Sequence, residues 1–130
     1  MKISVLEMQG FGFRQVEETH LMENIIYNEL RYRGYSVDVG VVEKREMSEN
    51  GKQIRKALEI DFVANLGSQR YYIQSALSMP TPEKQIQEKT SLINVADSFK
   101  KIIIVKDIVN VKRDENGIVT MSIYDFLVKE

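Results

Sequence analysis

The chain of 130 residues contains no cysteine and no tryptophan, only two prolines and a single histidine. Without cysteine there is neither a disulfide framework nor a thiolate metal site. A lone His20 has no second imidazole with which to share a metal, and it reads as a surface residue. No apolar run approaches the roughly 20 residues that span a bilayer. The start, M-K-I-S-V-L-E-M-Q-G, lacks the apolar core and small-residue cleavage site of a signal peptide. A cytoplasmic protein with no membrane partner is the expectation. Charge of one sign is missing too, because 18 basic and 19 acidic residues leave a net −1. A dedicated duplex-binding module is usually more basic.

What is present is ordinary for a globular domain: 43% hydrophobic and 28% charged residues in a length that suits one core. Residues 1–15, with Gly10 and Gly12, are poorly periodic and read as a connector or the remnant of a preceding region; 16–130 read as one domain. Helical spacing runs from Glu17 to Arg33, with Leu21, Ile25, Asn28 and Tyr32 as the apolar-leaning stripe, widened by Ile26 and Leu30. Thr19 is the expected N-cap and Gly34 the left-handed C′ residue. Tyr35 to Val42 alternates as a strand. Residues 43–56 are charged, contain Asn50-Gly51, and read as a long exposed hairpin loop.

The organising stretch is Ala57 to Leu77, two short strands around Leu66-Gly67-Ser68-Gln69. Strict alternation places Glu59, Asp61, Val63 and Asn65 on one face, and Ile60, Phe62, Ala64 and Leu66 on the other. In the return strand Tyr72, Gln74 and Ala76 share a face. A helix follows, Glu83 to Asp97, with Thr81 as cap, Pro82 in its first turn, and Ile86, Leu92, Ile93 and Ala96 as its apolar face. Lys101 to Lys106 reads as a strand covered on both sides. A turn at 114–117, a strand from Ile118 to Ile123 and a terminal helical turn complete an α/β chain of order α-β-β-β-α-β-β-α.

That order, with an acid on the second strand and a polar pair on the third, resembles the restriction-endonuclease-like (PD-(D/E)xK) superfamily. Three segments sharpen the likeness: H-L-M-E-N-I-I-Y-N-E-L-R-Y-R-G-Y at 20–35, L-E-I-D-F-V-A at 58–64 and Y-Y-I-Q-S-A at 71–76. Together they are similar to the domain of unknown function at the C-terminus of bacterial and archaeal AAA-type ATPases. The resemblance covers about residues 17–129 and implies a restriction-endonuclease-like core, a central mixed sheet flanked by helices. It also implies an N-terminal ATPase domain as partner in a longer protein, although no G-x-x-x-x-G-K-[ST] loop occurs here.

Carried over, the resemblance makes Glu23 the acid of the first helix and Asp61 the acid of the second strand. Gln74 stands at the Asp/Glu position of the third strand, and Ala76 at the lysine position. Superfamily members hydrolyse phosphodiesters with Mg²⁺ on hard oxygen ligands; here Asp61 and Glu23 would be the metal ligands. Gln74 withdraws one negative charge from such a site, and Ala76 withdraws the lysine that orients water and stabilises charge. Lys84 and Lys89 are the candidates to replace it. The expectation is a catalytically degenerate accessory domain, without a resident cofactor, that binds or positions DNA, RNA or a protein. Lys44, Arg45, Arg55 and Lys56 would touch phosphate. Two alternatives stand beside it: a Mg²⁺-dependent DNA endonuclease with a displaced lysine, and a structural docking or oligomerisation module. Asp61 also has a purely structural reading, as a sheet acid hydrogen-bonded to Gln74 or Tyr72.

Overall fold

The structure, a computed structural model, describes residues 13–79 and 81–129; the connector expected at 1–15 lies mostly outside them. The described elements are helix α1 (Phe13–Tyr32), strands β1 (Ser36–Met47), β2 (Gln53–Leu66) and β3 (Gln69–Ala76), helix α2 (Pro82–Ile93), strands β4 (Lys100–Val105), β5 (Lys112–Arg113) and β6 (Ile118–Ser122), and helix α3 (Ile123–Val128). The two-residue β5 was absent from the expected order. One six-stranded sheet, ordered β1-β2-β3-β4-β6-β5, unites the strands. The pairs β1–β2, β2–β3 and β5–β6 are antiparallel; β3–β4 and β4–β6 are parallel. The described residues form an α/β arrangement with a mixed sheet and three helices.

Helices lie on both faces. On one, Met22, Ile26 and Leu30 of α1 and Phe126 of α3 pack on Phe62, Ala64, Ile73, Ile104 and Met121. On the other, Leu92 of α2 packs on Ile60, Tyr72, Ala76, Ile103, Val105 and Ile118. Strand β4 sits between the two cores, with Ile104 facing one and Ile103 the other, both fully buried. Burying each is worth about 1.5–3 kcal/mol.

Several boundaries differ from the sequence reading. Helix α1 starts before Thr19, whose hydroxyl instead bonds the Gln15 carbonyl at 2.9 Å. Its buried stripe is Val16, Met22, Ile26 and Leu30, while Leu21 and Tyr32 face solvent. The choice between adjacent apolar stripes depends on where the sheet lies, and spacing alone does not contain that. Gly34 closes the helix at φ 95°, with Tyr35 N donating to the Leu30 carbonyl and Gly34 N to that of Arg31, a Schellman pair. Helix α2 takes the expected Thr81 cap and Pro82 start but stops at Ile93. Of its expected apolar face only Leu92 is buried; Ile86 and Ile93 are exposed, and Ala96 lies beyond the helix. Residues 43–56 are not a loop: both strands continue through them, and only Ser48–Lys52 turns.

Candidate functional site

The alternation expected for β2 breaks at Asp61. Asp38 of β1 pairs with Val63 and Gly40 with Ile60, so Asp61 and Phe62 together face the single residue Val39. This β-bulge moves Ile60 to the α2 side, while Phe62 and Ala64 stay on the α1 side. The four residues expected on one apolar face are therefore split. Gly40 makes the bulge feasible: a Cβ there would come 2.6 Å from Val63 Cγ2 and 3.2 Å from Ile60 Cβ.

Beside the bulge the β2–β3 ladder ends, with Phe62↔Ile73 its last pair. Two side chains then replace ladder bonds. Asp61 N donates to Gln74 Oε1 at 2.7 Å, and Ser75 N donates to Asp61 Oδ2 at 2.9 Å. Gln74 Nε2 also reaches the Glu59 carbonyl at 3.4 Å, and Ser75 Oγ reaches Asp61 Oδ2 at 3.4 Å. Asp61 and Gln74 are thus adjacent and joined through main chain. They act as a crosslink between strands that part at this point. Gln74 is buried.

The remaining expected residues are engaged in contacts of their own. Glu23 is half-buried on α1 and held within the protein. Among the described residues no group of three or more His, Asp or Glu is placed to hold a metal ion. At this pair the Gln74 carbonyl oxygen and Asp61 Oδ2 already accept main-chain N–H groups. Lys84 pairs with Glu88 at 3.3 Å, and Lys89 with Asp114 at 2.8 Å. Burial would raise the Asp114 carboxyl, but Lys89 and the N–H groups of Ile118 and Asn116 outweigh it and hold it below its ordinary value. Spacing did not reveal Lys106, whose main-chain N bonds the carbonyls of Ala76 and Leu77 and whose Nζ meets Glu18 of α1 at 2.9 Å. That interaction holds the Glu18 carboxyl below its ordinary value. His20 is half-buried, its Nε2 unpartnered among the described residues. Tyr71 packs edge-on against Tyr35, and Tyr72 is buried with its hydroxyl on Asp97.

The basic residues do come together. Because β3 leaves β2 at Phe62, the stretch from Gly40 to Met47 and from Gln53 to Ile60 is a two-stranded ribbon extending from the sheet. Eight residues per strand give it a length of roughly 25 Å. Lys44 lies directly opposite Lys56, and Arg45 directly opposite Arg55. Alternation puts the lysines on one face of the ribbon and the arginines on the other. Glu46 meets Lys44 at 3.1 Å and Glu43 meets Arg55 at 3.8 Å; Arg45 and Lys56 form no ion pair among the described residues. A groove of about 730 Å³ runs between the α2 side of β1 and residues 94–97, with Arg70 and Tyr72 in its wall.

No protein-family model matches the chain. It is 28% identical over 124 residues to an uncharacterized protein of Haemophilus influenzae. The match takes in 95% of this chain but only 27% of that relative, so the chain spans about a quarter of its length. No helix among the described residues is long and apolar enough to cross a membrane.

Proposed function

We propose that the chain is a catalytically degenerate nuclease-like accessory module that binds nucleic acid through the β1–β2 ribbon. The observation that carries the reading is the stacking of like charges across the ribbon, Lys44 on Lys56 and Arg45 on Arg55. Like charges directly opposite one another destabilise a strand pair, by roughly 0.2–1 kcal/mol. Two such pairs in succession, on a ribbon with little core to bury, fit a surface shaped for phosphate. A two-stranded ribbon is also narrow enough for the major groove of a duplex.

The degenerate restriction-endonuclease-like core is supported by β1, β2 and β3 running antiparallel in turn, with α2 leading to β4 parallel to β3. It is supported further by the acid of β2 standing beside a glutamine of β3 as a structural crosslink. A place beside an ATPase domain follows from the resemblance alone; the Haemophilus influenzae relative is long enough to hold further domains.

The test is fluorescence-anisotropy binding to labelled DNA and RNA across a salt series, with a nuclease assay in Mg²⁺ and Mn²⁺. Binding should weaken when all four basic residues become alanine. The salt slope should fall by about 0.9 for each duplex phosphate that is no longer neutralised. No metal-dependent cleavage is expected. Cleavage abolished by Asp61→Ala would refute the degenerate reading in favour of the endonuclease. The lysine to test next would then be Lys106, whose main-chain N bonds the Ala76 carbonyl; like Lys84 and Lys89, it would have to leave an ion pair to act. Absence of binding would leave protein docking as the function.

A further inference from the structure

We propose that the outer edge of β1 pairs with the same edge of a second copy, antiparallel about a two-fold axis through Val41, so that two sheets join into one. This inference does not rest on nucleic-acid binding, but it engages Lys44 and the outer edge of the ribbon, so pairing and phosphate contact would compete for that surface. Strand β1 ends the sheet, and no described strand covers its outer edge. Its first half, Val37 to Val42, holds four valines and no proline or lysine, and the charged run Glu43 to Glu46 lies in the second half. Edge strands that stay single are commonly blunted by lysine, proline or a covering loop. Val39 and Val41 are 63% and 70% exposed.

The charge pattern of β1 selects the occupant. A two-fold axis perpendicular to the sheet keeps each face on its own side, so only residues of the same face can meet. Centring on Val39 sets Asp38 against Gly40, and centring on Gly40 sets Asp38 against Val42 and Lys44 against Ser36; neither register matches a charge. Centring on Val42 sets Asp38 against Glu46, acid on acid. Centres at Glu43, Lys44 or Arg45 oppose identical charges. Centring on Val41 sets Asp38 against Lys44 of the second copy, twice over, and lays Val41 on Val41. It also sets Gly40, with no side chain, beside Val42 of the second copy. Asp38 is exposed and makes no ion pair among the described residues of its own chain, while Lys44 would trade its partly exposed pair with Glu46 for Asp38 of the second copy. In this register the two Arg45 side chains fall roughly 25 Å apart along the strand direction, one on each side of the axis.

The experiment is sedimentation velocity of the full chain across a concentration series, with charge reversals and single cysteines. Self-association should appear as concentration rises. Asp38→Lys and Lys44→Asp should each weaken it by about tenfold or more, since like charges then meet twice. The double variant should restore it, which a merely sticky edge would not do. The chain has no cysteine, so Val41→Cys should give a disulfide-linked dimer under mild oxidation. Directly opposed Cα atoms lie about 4.5–5.5 Å apart, within the range a disulfide bridges. Val39→Cys, equally exposed, should not crosslink, because its counterpart is four residues away, about 13 Å. A monomer at every concentration would overturn the proposal. So would crosslinking through Val39, or reversals that fail to compensate.

Discussion

Gln74 stands where the resemblance puts a catalytic carboxylate, yet its amide oxygen takes the Asp61 N–H at 2.7 Å and its amide nitrogen reaches the Glu59 carbonyl. It therefore closes a gap in the sheet, and replacing it tests that role. Gln74→Ala leaves a buried N–H without its partner, at about 1–3 kcal/mol. The emptied space adds to this, so about 2–4 kcal/mol is expected. For a chain of this size each kcal/mol lowers the melting temperature by roughly 3–5 °C. Gln74→Glu restores the superfamily's carboxylate and is the sharper test. It keeps the acceptor for Asp61 N but turns a charged oxygen toward the Glu59 carbonyl in a site only 6% exposed. Burial and that carbonyl both favour the neutral acid, so its native pKa rises above the unfolded value of about 4.3. Between the two values the native state binds more protons than the unfolded state. Stability relative to the parent protein is thus kept at low pH and lost as pH rises through the native pKa. A deficit of about 1–3 kcal/mol at pH 7 should close below roughly pH 4. Urea denaturation across pH measures it. A change below about 0.5 kcal/mol for Gln74→Ala would refute the crosslink. So would a Gln74→Glu chain as stable as the parent at pH 7. Mg²⁺ raising the melting temperature of Gln74→Glu, but not of the parent, would show that one added carboxylate completes a metal site at this pair.

Gly40→Ala should destabilise by about 1–3 kcal/mol in thermal melts, with Val63→Ala in the same chain recovering part of the loss, because the added methyl meets Val63 Cγ2. Asp114→Asn should lower stability at neutral pH. Since the Asp114 pKa is depressed in the folded state, its contribution is present above the unfolded value and lost as pH falls through the folded one; melts of parent and variant should therefore converge on acidification. Arg33→Ala should cost about 1–3 kcal/mol, because its guanidinium holds Glu29 at 2.7 Å and the Phe126 carbonyl at 2.6 Å and covers the Phe126 ring, tying the end of α1 to α3. Arg45→Ala should leave stability unchanged or raise it slightly by relieving its opposition to Arg55, while weakening nucleic-acid binding.

Local chemistry was legible from residues alone where it is decided by neighbours in sequence. Gly34 at a helix end, Thr81-Pro82 at a helix start and the Gly67 turn are of this kind, because a positive φ, a cap or a fixed φ is a property of one or two residues. The unbroken run Ile102–Val105 likewise announced a strand buried on both faces. Tertiary structure alone decided the rest. Period-two alternation assigns faces only while a strand stays regular, and the extra residue at Asp61–Phe62 reverses it against Val39. That bulge depends on Gly40, twenty-one residues before Asp61, and on where β3 parts from β2. Which stripe of α1 is buried, and that Lys44 and Arg45 meet Lys56 and Arg55, depend on register between distant segments. Register is a relation across space, set by packing on the sheet, and no spacing within one segment contains it.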